Sequence, residues 1–370
     1  MTTFIQKPTD SFLPQPTQPS LPPMTAGWPL LGALPTLVRK QIDFLPDAQQ
    51  RYGDIYTLNL GMVKAVVLNH PDHAQHVFRD KTRNYRKGGK FWDIVRELLG
   101  NGLVVSEGDY WRRQRRMLQP QFHRQRLAAL TTLMSEAITE GLSKWPTAGE
   151  QPLELGAAFS DITMRVITRT MLGGTLERSE IEQVSAALTY AINYTMPAML
   201  TRNLPKWLFA ARERRFHEAI AQIDAVLFKV IERSRQAIEA GDYADNLLSM
   251  MLTLVDEETG ERMTDQQIRD EAITIFLAGY ETTAVALTWA LPLLLHNPEC
   301  LQKLQTEIDT VLGGQPVTFD KIGQLSYTRM VLQEVMRLRP PASWLPRTAV
   351  EDDEIGGYAI PAGTMVVLPI

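Results

Sequence analysis

The longest apolar run in the chain lies between Ala272 and Leu295. A helix that apolar should be buried. Yet its middle reads FLAGYETTAVAL, with Glu281, Thr282 and Thr283 in a row just after Gly279. Burying a carboxylate without a partner is costly, and Gly and Thr both weaken a helix interior. Around this run, apolar residues recur at three- and four-residue spacing, which predicts helices through most of 109–339. The clearest are DYWRRQRRMLQPQF, LTTLMSEAITEGLSKW, AAFSDITMRVITRTMLGG and RFHEAIAQIDAVLFKVIERSRQAIEAG. Thr264, with Gln267 three residues on, predicts a capped start for the long apolar helix. Asn297 and Pro298 predict the start of the next, closed by Gly313, and Pro340–Pro341 stop the one after.

The period changes towards both ends. Residues 37–53 read as one helix closed by Gly53. Tyr56, Leu58 and Leu60 then alternate, and Ala65–Leu68 run together before Pro71, which predicts two strands. Pro71 and Asp72 open a short helix. Beyond Pro341 short strands are predicted, joined by turns at Gly356–Gly357 and Pro361–Gly363. The last strand is still running at Ile370, so we expect a C-terminal portion beyond this sequence. No internal repeat is visible.

Composition adds bounds. At 44 % hydrophobic residues there is apolar material for a large core, as in a soluble globular protein. A formal charge of −4 argues against nucleic acid as the main partner. The one cysteine, Cys300, excludes an intrachain disulfide. The first 23 residues hold six prolines and no apolar core of a signal peptide. We therefore expect an extended proline-rich segment over 1–25, one domain over 26–370, no membrane anchor and a cytoplasmic protein.

Several groups carry potential chemistry. Ala278 and Thr282 lie one turn apart on one helix face, and Gly279 and Thr283 share the next. A small residue one turn before a Thr leaves room for a flat group to approach. The Thr282 hydroxyl either returns to the Ala278 carbonyl or points to a ligand. Glu281 sets an acid beside that alcohol, which suits proton relay. The same spacing also suits a helix crossing with Glu281 turned to solvent. Glu334 and Arg337, three apart, read alone as an ordinary ion pair. Trp111 and Arg115 share a face in WRRQRRMLQPQFHRQR, whose six arginines make either a solvated basic face or an anion and docking surface.

Together, AGYETT, then EVMR, then RPPASWLPR closely resemble the cytochrome P450 family. The family's oxygen-activating helix matches Ala278, Gly279, Glu281, Thr282 and Thr283. Its Glu-x-x-Arg helix matches Glu334 and Arg337, its Trp-x-x-x-Arg helix matches Trp111 and Arg115, and its strand arginine matches Arg347. RYGDIYTLNLG and GDYWRRQRRMLQPQF are similar to the family too, and the resemblance runs from about Trp28 to Ile370.

The resemblance implies a mainly α fold with small β-sheets (α+β), the triangular helical fold of that family, C-terminally incomplete. It implies a haem-thiolate monooxygenase using haem b, dioxygen and a hydrophobic substrate such as a fatty acid, terpenoid or polyketide. Electrons would come from a ferredoxin or flavodoxin with its reductase, or another separate donor, and the protein would act as a monomer. Glu281 and Thr282 would deliver protons. Ala278 and Gly279 would line the haem face, and Trp111, Arg115 and Arg347 would bind its propionates. Glu334 and Arg337 would be structural. Arg112, Arg113 and Arg116 would face the electron donor. Substrate contacts would come from Gly88–Val104, Asn193–Trp207, the start of the long apolar helix and Ala342–Trp344.

One departure stands out. The family's iron-ligating cysteine sits in a Phe-x-x-Gly-x-Arg-x-Cys-x-Gly loop after the Glu-x-x-Arg helix, and this sequence has no such loop. Cys300 precedes Glu334 and lacks those flanks, so it is expected to be a bystander and the chain alone to be inactive. His73 and His76 are three apart without an accompanying ligand set. Two alternatives are a ligand-binding protein of the same fold and an unrelated all-α isoprenoid-type enzyme using magnesium. The second is weak, because its acidic run, Glu351–Glu354, falls in a predicted turn.

Overall fold

Helix makes up 63 % of the described residues, which sets the class as mainly α with small sheets. The computed structural model describes residues 19–40, 43–147, 151–173, 176–201 and 204–370. They fall into two compact units. One comprises the chain up to Arg86 together with Arg347–Val367, and the other Lys87–Pro346 with Leu368–Ile370.

The first unit begins with α1 (Leu34–Lys40), α2 (Phe44–Tyr52) and the strands β1 (Ile55–Asn59) and β2 (Lys64–Leu68). The single helix expected over 37–53 is thus two. Pro46 has no N–H to continue a helix from the preceding turn, but it is tolerated within the first turn of α2. Next come α3 (Pro71–Gln75), a single π-helical turn (His76–Asp80) and β3 (Tyr85–Arg86). The distant end of the chain supplies β4 (Trp344–Ala349), β5 (Asp353–Ile355), β6 (Tyr358–Ile360) and β7 (Met365–Pro369).

The strand order β1-β2-β7-β4-β3 sets the first hairpin beside the last strand. β1 and β2 are antiparallel, with Tyr56 opposite Val67. β2 and β7 are parallel, with Val66 opposite Val366. A parallel pair needs a crossover, and here most of the chain lies between the two strands. Tyr56 and Val67 close a core with Phe44, Ala48 and Leu58. β5 and β6 form a separate hairpin through Gly356 and Gly357, at φ +56° and +82°, the left-handed region that favours glycine. The proline-rich segment lies outside the described residues as far as residue 18. Beyond that, Ser20 bridges Tyr358 and Met24 bridges Thr57.

The second unit contains α4 (Lys90–Leu99), α5 (Gly108–Leu118), α6 (Arg124–Leu142), α7 (Leu155–Leu172) and α8 (Arg178–Thr201). It continues with α9 (Ala210–Glu239), α10 (Leu247–Thr253), α11 (Asp265–Leu295), α12 (Pro298–Leu312), α13 (Phe319–Ile322) and α14 (Ser326–Leu338). α11 is the axis of this unit and packs on α7, α9 and α14. Its start is the expected capping box: the Gln267 N–H donates to the Thr264 hydroxyl, and the Thr264 N–H to the Gln267 side chain. Length and composition would let α11 cross a membrane. Its first half is instead buried among the other helices, from Ile268 to Thr274. α12 starts at Pro298 and closes on Gly313 as expected, but Asn297 does not cap it. That side chain donates backwards to the Leu293 carbonyl.

Candidate functional site

The middle of α11 is asymmetric. Phe276, Tyr280 and Ala284 are buried, whereas Ala278, Thr282 and Thr283 are exposed. The middle of the helix therefore leaves open a stripe of small and hydroxyl side chains beside buried Phe276, Tyr280 and Ala284; further along, Trp289 and Leu295 are exposed too. The Thr282 hydroxyl donates to the Ala278 carbonyl at 2.6 Å, and the helix continues unbroken through it. Gly279 faces elsewhere. A Cβ there would come 2.9 Å from Ile167 Cδ1, so the missing side chain serves the approach of α7. Of the two small residues, Ala278 lines the open stripe and Gly279 the helix crossing. Glu281 is half-buried, and burial holds its carboxyl above the ordinary glutamate value.

α5 carries the second element. The Arg115 guanidinium lies 5.3 Å from the centre of the Trp111 ring, so the two form a cation–π pair. They line a cavity of about 350 Å³ with Arg112, Arg116, Gln119, Pro120 and His123. A forked, exposed guanidinium backed by an indole suits a carboxylate.

The rest of the basic helix is committed within the unit. Arg113 and Arg116 donate to Asp256 at 2.9 and 3.0 Å and also pair with Glu261 and Glu258. Arg112 pairs with Asp109. Of the three arginines expected to face the electron donor, Arg113 and Arg116 also fasten Asp256, which was not singled out from sequence, and Arg112 is exposed beside Asp109. Asp256 is only 1 % exposed. Burial opposes its charge, but the Glu258 N–H and the guanidiniums outweigh that and hold the carboxyl below the ordinary value of 3.8. A depressed carboxyl contributes stability above its ordinary value, and that stability is lost as pH falls through the lowered one. We expect the melting temperature of the wild type to fall more steeply than that of Asp256→Asn below about pH 4. Parallel profiles would contradict this.

Glu334 and Arg337 form a two-pronged pair on α14, at 2.6 and 2.7 Å. Both side chains are more than half exposed, and Met330, Met336 and Leu338 beside them are exposed as well. Arg347 belongs to the first unit, where its guanidinium lies 5.0 Å from the Phe78 ring. Two of the expected substrate segments meet within the second unit. Phe91 packs on Trp344 at 5.2 Å, and the Trp92 indole N–H donates to the Pro346 carbonyl. In the third, Tyr194 stacks on Phe216 and Trp207 is exposed, while residues 202 and 203 lie outside the described residues.

The alternative ligands find other partners. Cys300 lies beside Tyr327 of α14 and raises that phenol above its ordinary value. Asp353, from the acidic run, accepts from His76 at 2.8 Å and Tyr85 at 2.9 Å. Among the described residues, no group of three or more His, Cys, Asp or Glu is placed to hold a metal ion. The open stripe of α11 and the Trp111–Arg115 pair fit the face and the acid groups of a haem. A thiolate for its iron is not found among the described residues.

Residues 22–370 match the family model described as Cytochrome P450. The chain is 33 % identical over 344 residues to cyclooctatin synthase of Streptomyces melanosporofaciens, covering 92 % of this chain and 73 % of that protein. It is also 33 % identical to cyclooctat-9-en-7-ol 5-monooxygenase of the same organism, over 92 % of this chain and 72 % of the relative. Pentalenene oxygenase of Streptomyces avermitilis is 30 % identical, with 92 % and 74 % covered. With the helical unit built around α11, the open stripe at Ala278–Thr282 and a family match across almost the whole sequence, this chain belongs to the cytochrome P450 family.

Proposed function

We propose that the chain carries the oxygen side of a monooxygenase site, which inserts one atom of dioxygen into an apolar, unsaturated substrate. The observation that carries this reading is the open stripe of Ala278 and Thr282 on α11, flanked by buried Phe276, Tyr280 and Ala284, with the half-buried acid Glu281 beside it. Haem, when bound, supplies the redox-active iron that activates dioxygen. Ala278 would leave room for its flat ring against α11. Arg115, steadied by Trp111, would bind one of its carboxylates. Thr282 holds its proton towards the Ala278 carbonyl and would pass protons at that face, with Glu281 as their source.

The relatives named for pentalenene and cyclooctat-9-en-7-ol point to unsaturated hydrocarbons or their alcohols as the substrate class. Phe91 and Trp344 would contribute apolar contacts. Electrons would come from a separate donor such as a ferredoxin or flavodoxin with its reductase, and the protein would work as a cytoplasmic monomer.

The test is a chimaera in which residues 1–370 are followed by the thiolate-bearing C-terminal segment of one of these relatives. Given haem, a surrogate ferredoxin and its reductase, it should transfer one atom of isotopically labelled dioxygen to such a substrate. The 370-residue chain alone should not. A folded, haem-loaded chimaera with no dioxygen-dependent product on a panel of unsaturated hydrocarbons and their alcohols would reject the reading.

A further inference from the structure

Residues Gly100–Ser106 join α4 to α5 and are fastened to the first turns of α11. Two successive carboxylates of that helix meet the segment's backbone. Asp270 accepts from the Asn101 N–H at 2.8 Å and Glu271 from the Leu103 N–H at 3.0 Å. Glycine makes this approach possible. A Cβ on Gly100 would fall on the Asp270 carboxylate. One on Gly102 would strike Thr274 Oγ1 and come 2.5 Å from the Asp270 carbonyl oxygen.

The two carboxylates are not equivalent. Asp270 is answered by the Arg269 guanidinium at 3.1 Å and the Gln266 amide at 2.8 Å. Glu271 is 1 % exposed and has no cation beside it among the described residues. Its Oε1 and the Thr274 Oγ1 one turn on are both buried without a hydrogen-bond partner among the described residues.

The charged and titratable groups around Glu271 are already engaged. Arg269 also binds Asp224 of α9, and Tyr110 of α5 interacts with Gln267. Arg113 is held by Asp256, and Glu97 of α4 pairs with His217 of α9. Lys87 donates its Nζ to the carbonyls of Leu103 and Ser106, and its N–H to Glu107.

We propose that Glu271 is a proton-operated latch on the Gly100–Ser106 segment. Protonated, it holds the segment shut against α11; ionised, it favours an open position that lets water reach its charge. The segment runs straight into α5, the helix that carries Trp111 and Arg115. The latch rests on contacts of this chain alone and does not depend on the proposed function.

Burial pushes the Glu271 carboxyl up to about 7; the Leu103 N–H pulls it down and the Asp270 charge pushes it up. In an open segment it would return towards its ordinary 4.5. Between those values the open form is ionised while the shut form is protonated. Opening therefore becomes easier as pH rises from the lower value through the upper, and changes no further above it.

Hydrogen–deuterium exchange of the 370-residue chain, corrected for the intrinsic pH dependence of exchange, tests the latch. Peptides covering 100–106 should lose protection roughly tenfold to a hundredfold between about pH 5 and about pH 8. Peptides from the middle of α9 should not. Glu271→Gln keeps the shape and an acceptor for Leu103 but cannot ionise, so its segment should stay protected at both pH values. A wild-type segment whose protection is flat with pH overturns the latch, and so does a Gln variant that keeps the wild-type dependence. If the variant does not fold, the wild-type titration decides alone.

Discussion

Mixed with haem, reduced and exposed to carbon monoxide, the 370-residue chain will not give the spectrum of a thiolate-ligated haem. Cys300→Ser will leave whatever spectrum forms unchanged. The expectation follows from where the one thiol sits. Thr282 and the end of α11 at Leu295 are 13 residues apart, or about 20 Å along a helix axis. Cys300 lies beyond that end, in the first turn of α12, beside Tyr327. A side chain that would hold the iron has to lie close to the ring that Ala278 and Thr282 would face, and Cys300 lies past the far end of that helix. A thiolate signature that disappears in Cys300→Ser would refute this assignment.

The second large effect concerns proton delivery. In the chimaera with a thiolate-bearing segment, Thr282→Ala is expected to cut product formed per electron pair by roughly tenfold or more, with peroxide rising in proportion. The hydroxyl lies 2.6 Å from the Ala278 carbonyl on an open face, so its loss removes a proton donor without emptying a packed core. Glu281→Gln should act at the same point with a different pH signature. Burial holds the Glu281 carboxyl above its ordinary value, so a protonated fraction persists to higher pH and its contribution falls as pH rises through the raised value. The Gln variant should lose that limb of the profile. Unchanged coupling in Thr282→Ala would remove Thr282 from the relay, whatever the behaviour of Glu281.

Both predictions start from features legible in the sequence. The period of α6, α7 and α9, the box at Thr264 and Gln267, and the glycine turns at Gly356–Gly357 are local, and each forms where its residues predict. The capping bonds and the left-handed turn each depend on residues within a few positions. Where local signals compete, the reading failed. Residues 37–53 form two helices because Pro46 overrides the apolar period. Asn297 bonds back into α11 instead of capping α12. The helices α4, α8 and α10 did not stand out individually: α8 contains Pro197 and α10 is too short to show a period.

The candidate site divides along the same line. The sequence by itself determined the mainly helical class, the family pattern and the residue types of the proposed site: Ala278, Glu281 and Thr282, with Trp111 and Arg115 one turn apart. Only the tertiary structure decided which way each one faces. It turned Gly279 towards Ile167 and left Ala278 open. It joined Arg113 and Arg116 to Asp256, more than a hundred residues away, and set two carboxylates of α11 on the backbone of Gly100–Ser106. The reason is physical. Helix period, caps and turns are set by interactions between neighbours in the chain, whereas burial, ion-pair partners and shifted acidities depend on which distant segments pack together.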